Sequence, residues 1–333
     1  MAEAAATVAR TQSWRPLIWG LAAFLVCPVL PFFEAIFPIQ QTLLLLVPVI
    51  AVCSIVGWKL GGRAALALIW IGLAVWMLLQ SAGPPGTQYD QMARGWAILL
   101  AASFGLVSLW SATMPFFSRA LMSVGLAVGI GFLIALSSPS GIARMQHAAE
   151  EELTRRVSST MQNLEEGRNT PEWKELAERA PMLDTWNDDS ETMMRLIPKQ
   201  AAALVPALLA LESLAAMALA WGAYRRLSPV PIGPPLSPLV EFTFNDQLVW
   251  GLAVGATLCL PAFGAGRNAG FNLLLFFGAL YLIRGIGVLA WLSNGRYVYV
   301  VILSFLPQIF VIVTLALGLG DTWLDIRKRA KAA

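Results

Sequence analysis

One histidine and three cysteines are all that the 333 residues offer of the side chains most used to hold metals. His147 lies in a polar stretch, which excludes a histidine-based zinc site or a Ser-His dyad within the apolar part of the chain. Cys27, Cys53 and Cys259 each sit inside an apolar run and are expected as small packing residues, not a disulfide framework or a metal site. Charge is scarce too: 13% of residues are charged, against about a quarter in a soluble domain. No two acidic residues fall together deep in an apolar run, so an aspartyl mechanism has no candidate pair. GAGRNAG (264–270) is glycine-rich but lacks the GK[ST] ending of a phosphate loop, and it reads as a tight turn. The expectation is therefore of no catalytic residue, no cofactor, no metal and no nucleic-acid partner, in a protein that is not an enzyme.

What the chain has in quantity is hydrocarbon, with 57% hydrophobic residues. Runs of roughly 20 apolar residues match a bilayer core of about 30 Å. No short alternating segments of a barrel are present. The expected fold is all-α, a polytopic transmembrane helical bundle of about eight or nine spans. The candidates are 16–37, 42–58, 62–80, 96–114, 119–138, 199–223, 247–264, 271–292 and 297–319. MAEAAATVARTQSWRP leads into the first of them without an A-x-A cleavage site, so that span is expected as a retained anchor. Trp14, Trp58, Trp96, Trp221, Tyr224, Trp291 and Tyr297 mark span ends, as an interfacial belt does.

Between the fifth and sixth spans lies a polar insert, which divides the chain into membrane spans one to five (1–138), the insert (139–198), spans six to nine (199–320) and a basic tail (321–333). The insert carries 7 Lys/Arg and 12 Asp/Glu of the 23 and 20 in the whole chain, so it is acidic and the remainder is strongly basic. Ile142, Met145, Ala149, Leu153, Val157, Met161 and Leu164 recur every three or four residues, the stripe of an amphipathic helix. GRNTP breaks that helix, and EWKELAERA reads as a second, shorter one. Arg10, Arg15, Lys59, Arg63, Arg119, Arg225 and Arg226 fall on one face if the spans alternate. That face is expected to be cytoplasmic and the insert extracytoplasmic. The tail, with Arg327, Lys328, Arg329 and Lys331, then falls on the wrong side, so either one segment does not cross or the tail tolerates its position. The Pro-rich link LSPVPIGPPLSPLVEF (227–242) is the first place to look for a re-entrant or interfacial piece.

GLAVG occurs at 125–129 and again at 251–255, each a GxxxG through which a membrane partner or a second copy could pack. Four polar residues stand inside apolar runs. Arg284, near the middle of the eighth span, costs at least about 3 kcal/mol there, unless it snorkels toward headgroups or finds a partner. Glu212 is the only acid of comparable depth and is the expected partner. Asn272 aligns with Ala279, Ile283 and Ala290, a stripe suited to an interhelical hydrogen bond. Pro307-Gln308, halfway along the ninth span, is expected to kink it and free a carbonyl. Gly318 and Gly320 are expected to loosen the end of the ninth helix, and Asp325 in the tail to pair with Arg329.

FNLL (271–274), the Arg284-Gly285 pair and LGLGDTWLDIRKR (317–329) are similar to the YybS-like family of predicted bacterial membrane proteins, a domain of unknown function. The resemblance implies a multi-pass protein of the bacterial inner membrane. That family is distantly similar to the substrate-binding S components of energy-coupling-factor vitamin transporters, which implies a transport role. The chain departs from the S-component pattern: its first span lacks the Ala-x-x-x-Ala docking motif, Ala23 and Cys27 coming nearest, and the insert and extra spans have no counterpart. Two functions follow. The first is a binding or transport component with a polar intramembrane site formed by Glu212, Arg284, Asn272 and Gln308. The second is an assembly scaffold acting through Met145, Leu153, Val157 and Met161 of the insert.

Overall fold

The computed structural model describes residues 14–26, 31–80, 85–171, 182–293 and 306–327, with positions 173, 175, 179 and 300 besides. Among the described residues every regular element is a helix. In chain order these are α1 (Arg15–Val26), α2 (Pro31–Ile36), α3 (Ile39–Lys59), α4 (Ala64–Leu79), α5 (Gln88–Trp110), α6 (Phe116–Leu136), α7 (Gly141–Arg168), α8 (Met182–Leu227), α9 (Val249–Leu258), α10 (Arg267–Leu292) and α11 (Pro307–Leu324). Short 3-10 turns occupy Leu239–Glu241, Asp246–Leu248 and Pro261–Gly266.

Among the described residues six helices are long and apolar enough to cross a membrane: α3, α5, α6, the Gln200–Leu227 part of α8, α10 and α11. The remaining apolar runs are shorter as helices. α4 has 16 residues, about 24 Å at 1.5 Å per residue. The first run is divided into α1 and α2, of 12 and 6 residues, with Cys27 between them outside the described residues. The seventh contains α9, of 10 residues, and then a 3-10 turn. The ninth is described only from Leu306, the part before it lying outside the described residues apart from position 300. Pro307 is the first residue of α11. At that position its missing N–H breaks no helical hydrogen bond, so the expected mid-helix kink is replaced by a helix start.

The chain forms two compact units, one of Met1–Val205 with Glu212–Pro234 and one of Pro206–Leu211 with Pro235–Ala333. In the first, α3 is the central helix, packed against α4 and α5, while α6 packs on α5. Leu44, Leu45, Val49, Ile50, Cys53 and Val56 of α3 are buried. α4 turns only Ala67 and Ala74 inward and exposes Leu68, Ile69, Trp76 and Leu79, as suits a helix whose other faces meet acyl chains. At one end of this unit Phe104, Phe116, Trp221 and Tyr224 form an aromatic cluster with neighbouring centroids 5.9–6.4 Å apart. Arg119 lies across Trp221 at 4.6 Å. Its Nη2 donates to the carbonyls of Ser111, Ala112 and Met114, closing the loop between α5 and α6.

The first half of the Pro-rich link belongs to this unit and is sewn back onto α8. Arg225 donates to the carbonyls of Ile232 and Gly233, Trp221 Nε1 donates to Pro234 O, and Tyr224 OH accepts the Ile232 N–H.

The insert's amphipathic stripe is present as read. α7 runs 28 residues and buries Ala149, Leu153 and Val157, with Met161 and Leu164 half-buried. What covers the stripe is the chain itself: Ala35 and Ile36 of α2 and Ala201, Ala202 and Val205 of α8. Met145 and Ile142 stay exposed. This corrects the expectation of an open partner-binding face, because the apolar surface is already spent on an internal core. EWKELAERA falls largely outside the described residues. α8 is continuous for 46 residues, about 69 Å, so the last third of the insert and the sixth span are one helix.

In the second unit, α10 packs against both α9 and α11. The second GLAVG is used here: a Cβ on Gly255 would lie 3.1 Å from the Gly270 carbonyl oxygen. The first has open space at Gly125 and Gly129. GAGRNAG is the tight connection expected, a 3-10 turn leading into α10. Gly318, expected to loosen α11, instead lies against the Tyr281 carbonyl of α10. Asp325 ends α11 in a left-handed conformation, φ 45°, and Arg329 lies outside the described residues.

Candidate functional site

Glu212 and Arg284, the expected partners, fall in different units. The hydrogen bonds described for each lie within its own unit, so the site residues are described as two polar networks.

Glu212 is 5% exposed. Its Oε2 accepts from Gln41 Nε2 at 2.7 Å and its Oε1 from Thr42 Oγ1 at 2.9 Å. Gln41 and Thr42 occupy the first turn of α3, where the apolar run begins with IQQT. The other end of the Gln41 amide accepts from Tyr89 OH at 2.6 Å and, at the long limit of 3.5 Å, from Arg156 Nη2. The Arg156 guanidinium lies 4.9 Å over the Tyr89 ring and its Nε donates to Glu152 at 2.8 Å. Arg155 grips the same carboxylate with two bonds, at 3.0 and 2.6 Å. The network thus joins α3, α5, α7 and α8 through a carboxyl, an amide, a phenol and a guanidinium. Beside it, Trp96 Nε1 donates to Ser213 Oγ at 3.0 Å. Arg156 is 7% exposed, and its Nη1 is buried with no hydrogen-bond partner. The site therefore has donor capacity left over.

Glu152 lies on α7, outside the spanning helices. Burial alone would raise its carboxyl, but the Arg155 hydrogen bonds and the charge and hydrogen bond of Arg156 outweigh it and hold it below the usual glutamate range. A carboxyl depressed in the folded state stabilises fully above the unfolded value, about pH 4.3, and that contribution is lost as the pH falls below it. The melting temperature of the wild type should exceed that of Glu152→Gln at pH 7, and the difference should shrink as the pH is lowered below about 4. A gap that stays constant across this range would mean that the carboxylate charge plays no part.

Arg284, 3% exposed, is turned inward as its cost in hydrocarbon demands. Its Nε donates to Asp321 Oδ2 at 3.0 Å, its Nη2 to Asp321 O at 3.2 Å and its Nη1 to Asp246 Oδ1 at 2.9 Å. Asp321 is equally buried, and Arg327 Nη2 meets its Oδ2 at 2.6 Å. Arg327 also donates to the carbonyls of Val240 and Phe242 at 2.9 and 3.1 Å. Phe244 faces the Arg284 guanidinium at 5.2 Å. Every nitrogen of these two guanidiniums has an acceptor, so this network is a closed clasp.

Close backbone contact is what positions the clasp. A Cβ on Gly285 would collide with the Thr314 carbonyl oxygen, and one on Gly318 with that of Tyr281. Glycine at both places lets α10 and α11 touch, and the touch delivers Arg284 to Asp321. Asn272 serves as expected, accepting the Ala207 N–H at 2.9 Å. Gln308 is exposed in the first turn of α11 and joins neither network. Sequence reasoning passed over Gln41, Thr42, Tyr89 and Arg156 in the first network and Asp246, Asp321 and Arg327 in the second. IQQT at the head of a leucine run was the available signal for the first. The alternation of Gly, Asp and Arg in GLGDTWLDIR was the signal for the second.

A family model described as "Predicted membrane protein (DUF2232)" matches residues 116–322, more than half of the chain. It begins with α6 and ends near the close of α11, so it takes in Arg156, Glu212, Arg284 and Asp321 but not Gln41 or Tyr89. No curated protein and no solved structure matches.

Proposed function

The chain belongs to the DUF2232 family of predicted membrane proteins, and from that premise we propose that it is a small-molecule binding or transport component whose intramembrane site is the Glu212–Gln41–Tyr89–Arg156 network. One observation carries the reading. A buried carboxyl is met only by neutral donors, and a buried guanidinium beside it keeps a free N–H. A passive anchor avoids both costs by placing leucine there. A carboxylate and a guanidinium in one enclosure suit a small zwitterionic or anionic metabolite.

In this reading the protein is not an enzyme, and it resides in the inner membrane of a bacterium as an eight- or nine-span bundle with α7 on the extracytoplasmic side. The YybS-like resemblance and its distant link to S components of vitamin transporters agree with it. The scaffold alternative draws less support, since Leu153 and Val157 are covered by the chain's own helices.

The test is a thermal-shift screen of amino acids, small carboxylates and water-soluble vitamins on detergent-solubilised protein. A ligand at 100 times its Kd stabilises by about 2.7 kcal/mol. That shift should disappear in Glu212→Gln, which keeps the size of the side chain, and in Arg156→Lys, which keeps the charge but not the guanidinium fork. A shift that survives both substitutions, or no shift with any compound, removes this site.

A further inference from the structure

Leu239–Leu258 lies along α10 from one end toward the other. A Cβ on Gly287 would strike the Leu239 carbonyl. Phe244 packs edge-on against Tyr281 at 5.0 Å, and Asp246 reaches Arg284. Gly251 lies under the Phe277 ring, and Gly255 meets Gly270 and Leu273. The partner numbers on α10 fall from 287 to 270 over the segment, with one step back at Asp246, so the segment is antiparallel to α10 and covers about 17 residues of it, roughly 26 Å at 1.5 Å per residue. Its second half is the α9 helix. Its first half, through Leu248, is irregular backbone with two 3-10 turns.

Irregular backbone at membrane depth persists only where protein or water satisfies its polar groups. Here Arg327 takes the carbonyls of Val240 and Phe242. Arg284 lies 8 residues from the end of α10 at Leu292, about 12 Å, which places Asp246 well inside the apolar length of that helix. Yet the Asp246 side chain is 60% exposed. A carboxylate there cannot face acyl chains without a large cost.

We propose that Leu239–Leu258 crosses the membrane as a broken span and that its break, at Thr243–Asp246, opens onto a water-filled crevice, so that the Asp246 carboxylate, held by the buried Arg284, lies within reach of water-borne cations. This is independent of the Glu212 site. It adds a crossing that helix length alone does not reveal, since α9 by itself is half a span.

The experiment is single-cysteine labelling in proteoliposomes of the full chain with Cys27, Cys53 and Cys259 replaced by alanine, using a charged, membrane-impermeant maleimide. Ser237→Cys and Phe263→Cys, beyond the two ends, should label from opposite sides. Thr243→Cys and Asp246→Cys should react at least tenfold faster than Val254→Cys, which is exposed on α9. The Thr243 variant leaves the clasp intact should the Asp246 variant not fold. Labelling of both ends from the same side would make the segment a re-entrant hairpin and overturn the crossing. Break positions as unreactive as Val254→Cys would overturn the crevice.

Discussion

Asp321→Asn is expected to cost about 3–5 kcal/mol, the range for removing one partner from a buried ion pair, whereas Asp246→Asn should cost no more than about 1 kcal/mol. Both carboxylates serve the same guanidinium at nearly equal distance, 3.0 and 2.9 Å. They differ in burial, 3% against 60% exposed. Asp321 alone stands between Arg284 and Arg327, and arginine cannot shed its proton to escape. Without Asp321, two positive charges remain buried, with only an exposed carboxylate near one of them. Asp246 already shares its field with solvent, so water replaces most of what its loss removes. Thermal unfolding of the purified variants in one detergent checks the contrast. Equal losses for the two would show that Arg284 is held by something other than the buried acid.

The inward turn of Arg284 was one of two solutions open in the sequence, the other being snorkelling toward headgroups, because a guanidinium in hydrocarbon admits few others. Its partner was not legible. Depth in the linear sequence made Glu212 the natural choice, since Asp246 and Asp321 lie at the edges of their apolar runs. Helical side chains lean toward the N-terminus of their own helix, and arginine is long, so Arg284 meets residues well away from its own level. Span-end acids on an antiparallel neighbour are therefore within reach. Glu212 was correctly singled out as costly, yet its donors come from α3, which no pattern on α8 can announce. The α7 stripe shows the same limit. Its period fixed the helix and the buried face, but whether that face meets a partner or the chain's own Ala35, Ala201 and Ala202 is decided by tertiary folding. Helix length failed at the seventh apolar run for a different reason: apolar content does not distinguish α9 from the irregular backbone beside it when buried arginines satisfy the carbonyls.

Gly285→Ala and Gly318→Ala should each cost at least the 1–3 kcal/mol typical of overpacking, while Gly125→Ala and Gly129→Ala should be neutral or slightly stabilising. The added group is the same methyl in all four. At Gly285 and Gly318 it would meet main-chain oxygens of the facing helix, which cannot rotate aside as a side chain would. α10 and α11 must then separate, and the separation pulls Arg284 from Asp321, so the steric cost is compounded by the loss of a buried pair. At Gly125 and Gly129 nothing lies within 4 Å, and alanine is the better helix former by up to about 1 kcal/mol in water. Melting temperatures of the four variants in detergent give the ordering, and repeating the measurement in native lipid asks a further question of α6. A loss at Gly125 or Gly129 that appears only in the membrane, accompanied by a change in oligomeric size, would mean that a partner helix occupies that open GxxxG face.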